Sequence, residues 1–180
     1  MPIDYFDSYV SHEGFDVPRL IHDDFFVAIK LCFNAQLYTS ADKLLMCFID
    51  AMGFVRFGDS ADTSFPFKEW CRRYIDLAAL GITADELWEH RNALIHTTTL
   101  RSRKVLAGKT PMLIAYIGKL PPGVAAPEGQ KWFDLFALIK EIAAAVKRFL
   151  EDFVAVEREL FVERYDQVVS DRRVARIRSS

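Results

Sequence analysis

The stretch that most constrains this chain is TADELWEHRNALIHTTT, residues 83–99, an amphipathic helix with an arginine set into its apolar face. Thr83 starts it and Glu86 follows three residues on, the spacing at which a hydroxyl and a carboxylate cap each other's backbone amides. Asp85 and Glu86 also put negative charge in the first turn, where the helix dipole favours it. At about 100° per residue, Leu87, Trp88, Leu94 and Ile95 share one stripe, and Arg91 falls in its middle. A guanidinium on a core-facing stripe requires an acceptor or a counter-charge. Asp85, Glu89, Asn92 and His96 share the opposite, polar face. On an ideal helix Arg91 and His96 are about 140° apart, so they do not point at one spot unless the helix distorts, Arg91 reaches around, or a second subunit completes the site.

The remaining sequence reads as a single all-α domain with flanking segments. Its 180 residues suffice for an ample core, and 51% apolar content with 15 Phe indicates a globular chain. A formal net charge of −2 provides no global attraction to nucleic acid, so an RNA-binding surface has to be a local patch. Cys32, Cys47 and Cys71 lack metal-ligand spacing and cannot all pair internally. They read as reduced, mostly buried thiols of a cytoplasmic protein. The acidic start has no signal-peptide pattern, and no apolar run approaches the roughly 20 residues of a membrane span.

Residues 1–22 read as an irregular N-terminal arm, interrupted by Gly14 and Pro18, whose Tyr5, Phe6, Tyr9 and Phe15 pack onto the body. His12, His22, Asp23 and Asp24 have no second ligand pair at metal spacing, and read as surface groups and a helix start. A helical domain is expected over residues 23–165. Its first helix, 23–36, turns Phe25, Phe26, Ile29, Cys32 and Phe33 inward. The second, 38–57, buries Leu44, Leu45, Phe48, Ala51, Met52 and Val55. Its Asp42 and Asp50 are either solvated acids or the partner that Arg91 needs. A polar loop, 58–65, precedes a third helix over 67–80 with Trp70, Tyr74 and Leu77 inward, ended by Gly81. The short connection to residue 83 favours antiparallel packing of the two helices. His90 projects away from Arg91 and reads as a surface histidine.

After His96 three threonines loosen the helix, and a basic run follows: Arg101, Arg103 and Lys104, with Lys109 beyond. It reads either as a patch that tracks phosphates or as a solvated loop with favourable charge at a helix C-terminus. MLIAYI, residues 112–117, is β-prone and reads as one short strand or hairpin edge. Residues 120–130, rich in Pro and Gly, form a loop. A long helix is expected over 131–165, with Trp132, Leu135, Ile139, Ile142, Val146, Phe149, Phe153, Val156 and Leu160 as a heptad-like seam. Its last turns are placed to pack on a second subunit. Residues 166–180 form a flexible basic tail with Arg172, Arg173, Arg176 and Arg178.

Arg91, Asn92 and His96 supply a fixed cation, an amide and an imidazole within two turns, parts suited to phosphate chemistry. Arg followed by a polar residue, three more and His, late in an amphipathic helix, resembles the motif of the HEPN superfamily. The order of helices before LWEHRNALIHT resembles bacterial HEPN-type proteins over roughly residues 23–160. The resemblance implies a HEPN-like helical bundle that acts on RNA as a homodimer, without metal or cofactor. His96 would move the proton, Arg91 would stabilise phosphoryl charge, and Asn92 would orient the imidazole or contact phosphate. It also implies no membrane association, and restraint by a protein inhibitor or antitoxin. In members controlled by a nucleotidyltransferase antitoxin a tyrosine lies two residues after the histidine; here that position is Thr98, so that particular regulator is not expected. The alternative is a non-catalytic module that binds RNA, nucleotide or protein, in which Arg91 is structural.

Overall fold

A computed structural model describes residues 9–12, 14–97, 99–121 and 123–170. Helices dominate it, with two small sheets of two strands each. The chain divides into two compact units, residues 1–48 and 49–180. Among the described residues no helix is long and apolar enough to cross a membrane.

The first unit opens with an antiparallel hairpin, β1 (Val10–Ser11) and β2 (Gly14–Phe15). Asp16 then caps α1 (Val17–Ile21), its carboxylate accepting from the Arg19 amide at 3.0 Å. Pro18 sits in the first turn, where its missing N–H costs nothing. The helix runs on through a π-helical turn (His22–Phe26) into α2 (Val27–Asn34). The irregular arm expected up to residue 22 is therefore partly helix, and the first helix starts well before Asp23. The proline belonged to a helix start, and the π turn breaks the 3.6-residue period that would have disclosed the rest. Edge-to-face contacts of Phe25 and Phe26 with Phe48, at 5.2 and 5.3 Å, lie within this unit. His22 Nδ1 is 3.0 Å from the Asp23 carboxylate, and among the described residues no three His, Cys, Asp or Glu side chains gather to hold a metal.

α3 (Tyr38–Phe57) matches its expected bounds and continues from the first unit into the second. It stops at Gly58, whose amide donates to Phe54 at 2.7 Å and whose φ of +71° favours glycine. The Arg164 guanidinium donates to the carbonyls of Val55 and Arg56, at 3.1 and 2.9 Å, satisfying the end of the helix.

α4 (Phe65–Tyr74) buries Phe67, Trp70, Cys71 and Tyr74. It ends six residues before the expected position 80. The Tyr74 carbonyl accepts from Arg148 Nε at 2.8 Å, and the Asp76 amide donates to Glu141 at 3.0 Å. Two side chains of a later helix thus take the backbone groups that another turn would have used. α5 (Ala84–Asn92) follows, held to α4 by Lys68 and Arg72, which reach Asp85 at 2.7 and 3.1 Å. Those partners, the Lys68 hydrogen bond foremost, hold the Asp85 carboxyl below its usual range. The reciprocal cap forms as expected: Thr83 Oγ1 accepts from the Glu86 amide, and Glu86 accepts from the Thr83 amide at 2.8 Å.

A π-helical turn (Ala93–Thr97) and a short helix, α6 (Arg103–Leu106), lead to β3 (Met112–Tyr116). β3 pairs in parallel with β4 (Gln130–Asp134), Ile114 opposite Trp132. The expected strand is present, but the long helix of residues 131–165 is not continuous. Its first residues are a strand, and Asp134 caps α7 (Leu135–Phe149) by accepting from the amides of Phe136 and Ala137. A π-helical turn (Leu150–Val154) follows α7. The amides of Val156 and Glu157 both fold back to the Phe153 carbonyl before α8 (Arg158–Ser170) begins. The heptad reading failed because it counted residues across a strand, a π turn and a break. Val156, assigned to the seam, is exposed, and so is Phe136 near the start of α7. What survives is a buried aromatic cluster: Trp70, Tyr74, Phe149, Phe153, Phe161 and Tyr165, with successive ring centroids between 5.3 and 6.3 Å. Each such ring contributes on the order of 2–3 kcal/mol by burial.

Candidate functional site

The site is built where α5 gives way to the π turn. A straight helix would leave Arg91 and His96 on different faces. Over residues 93–97 the backbone closes i→i+5 bonds instead, so the chain turns by less per residue and brings His96 back toward Arg91, five residues earlier. Arg91 Nη1 lies 2.8 Å from His96 Nε2 and 3.1 Å from Asn92 Oδ1. Arginine only donates, so in this contact Nε2 of the imidazole is the acceptor.

The other edge of the guanidinium is fixed by α3. Arg91 Nε donates to Asp50 Oδ2 at 2.6 Å, and Nη2 contacts the same oxygen. Of the two acids weighed as partners, Asp50 is the one engaged; Asp42 is buried elsewhere on the helix. The flat side of the guanidinium lies 5.0 Å from the Trp88 ring, which in turn meets Phe67 edge to face at 5.3 Å. An arginine on an apolar stripe is thus accommodated by a carboxylate, an amide, an imidazole and an aromatic face. Cys71 lies close enough for the Asp50 charge to act on it. Burial first, and Asp50 second, push its thiol far up, so it is a packed, protonated residue.

These groups face a cavity of about 770 Å³, whose lining includes Asp50, Arg91, Asn92, His96, Arg103 and Lys104. His96 is exposed at its wall, while Arg91 and Asp50 are mostly buried, with 17% and 24% of their side-chain surface accessible. The basic run divides. Arg103 and Lys104 line the cavity, whereas the exposed Arg101 and Lys109 are not part of its wall. Lys104 is anchored by Glu89, 3.0 Å away, and Glu89 also accepts from Ser102 Oγ at 2.7 Å.

Two residues of α5 expected at the surface, Glu89 on its polar face and His90 apart from it, are corrected. Glu89 is buried, 5% accessible, because Ser102 and Lys104 fold over it. His90 is buried rather than superficial, packed edge to face on Phe133 at 5.3 Å. Both errors come from treating α5 as a helix with one wet side, when the segment after the π turn and strand β4 cover it. Ser102 and Thr63 are site residues that the sequence reading passed over. A serine just before a basic helical turn was the available signal for Ser102, which caps α6 through the Val105 amide. Thr98 and the tail arginines Arg172, Arg173, Arg176 and Arg178 lie outside the described residues. No family model, curated protein or solved structure matches the chain.

Proposed function

We propose that this chain is a HEPN-type helical-bundle domain acting as a metal-independent endoribonuclease. The observation that carries the reading is the 2.8 Å contact between Arg91 and His96 on the wall of a cavity with basic residues beside it. It unites a phosphate-binding fork with a proton carrier, which the motif alone did not guarantee.

In the proposed reaction an RNA phosphodiester enters the cavity and takes up the Nη1 donors of Arg91. That frees Nε2 of His96 to accept the proton of the ribose 2′-hydroxyl. The 2′-oxygen attacks phosphorus, the bond to the 5′-oxygen breaks, and the leaving oxygen is protonated. The products are a 2′,3′-cyclic phosphate and a 5′-hydroxyl end. Arg91 stabilises the charge that gathers on the phosphoryl oxygens, with Asp50 and Trp88 holding its plane. Asn92 restrains Nη1, while Arg103 and Lys104 attract the flanking phosphates. Two protons must be handled, and a homodimer supplies a second imidazole across a two-fold axis. A protein inhibitor or antitoxin would restrain such an activity in the cell.

The test is cleavage of labelled RNA in chelator by wild type, Arg91→Ala and His96→Ala. Cleavage by wild type alone, with cyclic phosphate ends, is the expected result; equal background from all three overturns it. Light scattering at micromolar concentration is expected to give a dimer, and a fully active monomer would remove the composite site. One observation favours a second reading. All three guanidinium nitrogens of Arg91 already have partners within the chain. A non-catalytic module that binds RNA, nucleotide or protein, with Arg91 structural, would look like this too, and RNA binding without cleavage would select it.

A further inference from the structure

A second cavity, of about 380 Å³, shares Asp50, Thr63 and Arg91 with the first. The Asp50–Arg91 pair therefore lines both, and a group bound at Arg91 on one side lies next to whatever occupies the other. The two cavities differ in chemistry. The first carries Arg103 and Lys104 in addition to Arg91. The second has Arg91 as its lone cation among the described lining residues, facing Asp50 and Asp59. Asp50 is neutralised by Arg91. Asp59 is exposed in the loop after α3 and makes no ion pair or hydrogen bond among the described residues. Phe54 and Pro66 supply apolar faces, and Ser60 and Gln167 supply donors and acceptors.

We propose that this second cavity is a nucleobase subsite that prefers bases carrying an exocyclic amine. The inference rests on the reading of the first cavity as an RNA phosphate site. A carboxylate accepts hydrogen bonds and never donates, so Asp59 repels a phosphate but receives an N–H from cytosine, adenine or guanine. Uracil offers only its ring N3–H, flanked by two carbonyl oxygens that a carboxylate repels. Single-stranded RNA is read by stacking a splayed base on an aromatic or apolar face and bonding its edge, and Phe54 and Pro66 beside Asp59 provide both elements. The volume is within the range of about 300–1,000 Å³ that small ligands occupy. The frame is fixed. Gly58, at φ +71°, turns the chain into Asp59 and Ser60, and a side chain there would meet the Arg164 guanidinium at 3.2 Å. Arg164 in turn ties α8, which carries Gln167, to the end of α3.

The experiment uses short, fluorescently labelled oligo(C) and oligo(U) with 2′-O-methyl riboses, which cannot be cleaved, and measures anisotropy with the full chain. Wild type is expected to bind oligo(C) about tenfold tighter than oligo(U). Asp59→Ala, a change in an exposed loop, should bring oligo(C) to the oligo(U) level and leave oligo(U) unaltered. Arg91→Ala should weaken both alike. Equal affinities in wild type, a preference that survives Asp59→Ala, or no binding of either oligonucleotide overturns the subsite. Unmodified RNA assayed in parallel separates the two ideas. Base preference without cleavage ends the nuclease reading alone, and cleavage indifferent to base ends the subsite alone.

Discussion

Two clusters in the second unit are made from the same parts and differ in what they leave open. At one, Arg73 grips Asp152 through Nε and Nη2, at 3.0 and 3.1 Å, and the Tyr74 hydroxyl donates to the same carboxylate at 2.6 Å. Arg56 donates to that hydroxyl and lies over the Phe153 ring at 4.6 Å. At the other, Arg91 grips Asp50 and lies over Trp88, but its free edge meets an imidazole on a cavity wall. Burial, and then the hydrogen bond to Asp152, raise the Tyr74 hydroxyl above its ordinary range. Arg73 and then Tyr74 lower the Asp152 carboxyl. The Tyr74 hydroxyl and the Asp152 carboxyl are thus both held away from the neutral range. The second cluster ends in an imidazole at a cavity wall. An arginine–aspartate pair is closed by a tyrosine in one place and borders a cavity in the other, and the difference is the third partner and the space beside it.

The sharpest way to break this comparison is to remove the chemical end. Arg91→Ala and His96→Ala are each expected to lower RNA cleavage by about 10²–10³-fold, measured as single-turnover rates, with the circular dichroism spectrum kept. Next is the support. Asp50→Asn should lower the rate about tenfold by loosening the guanidinium, and should cost about 2 kcal/mol in urea unfolding, since both partners are mostly buried. The tyrosine-closed pair should behave otherwise. Asp152→Asn is expected to leave cleavage unchanged and to cost about 1 kcal/mol, because the carboxylate is 37% accessible and solvent screens it. The smallest effect is in acid. A carboxyl whose folded pKa is depressed stabilises the fold above its unfolded value of about 3.9, and that stability is lost as pH falls through the folded value. Wild type should therefore lose more stability than Asp152→Asn between about pH 5 and pH 3, and parallel curves would show that the pair contributes nothing.

Much of this was legible from residues. The reciprocal cap of Thr83 and Glu86, the bounds of α3, a strand within 112–117 and an acid as a candidate partner for Arg91 all follow from local chemistry, and the structure contains each. Local chemistry could not place Arg148 and Glu141, which end α4 from far along the chain. Nor could it pair β4 with a strand some eighteen residues earlier, so Gln130 passed for loop and Lys131–Asp134 for a helix start. Glu89 and His90 were misplaced for the same reason: what covers a helix face comes from elsewhere. Periodicity itself failed at the π turns, because a method that assumes one pitch cannot register a change of pitch.

That last point reaches beyond this chain. A motif written as two letters and a gap is a ruler, and the ruler holds its length only while the helix keeps its winding. Here four intervening residues serve because the winding relaxes between Ala93 and Thr97. In an evenly wound helix, three intervening residues would bring the same two side chains together. Gap length and helix winding can therefore drift in tandem while the meeting of guanidinium and imidazole is preserved, and a search that fixes the gap would overlook sequences with the same arrangement.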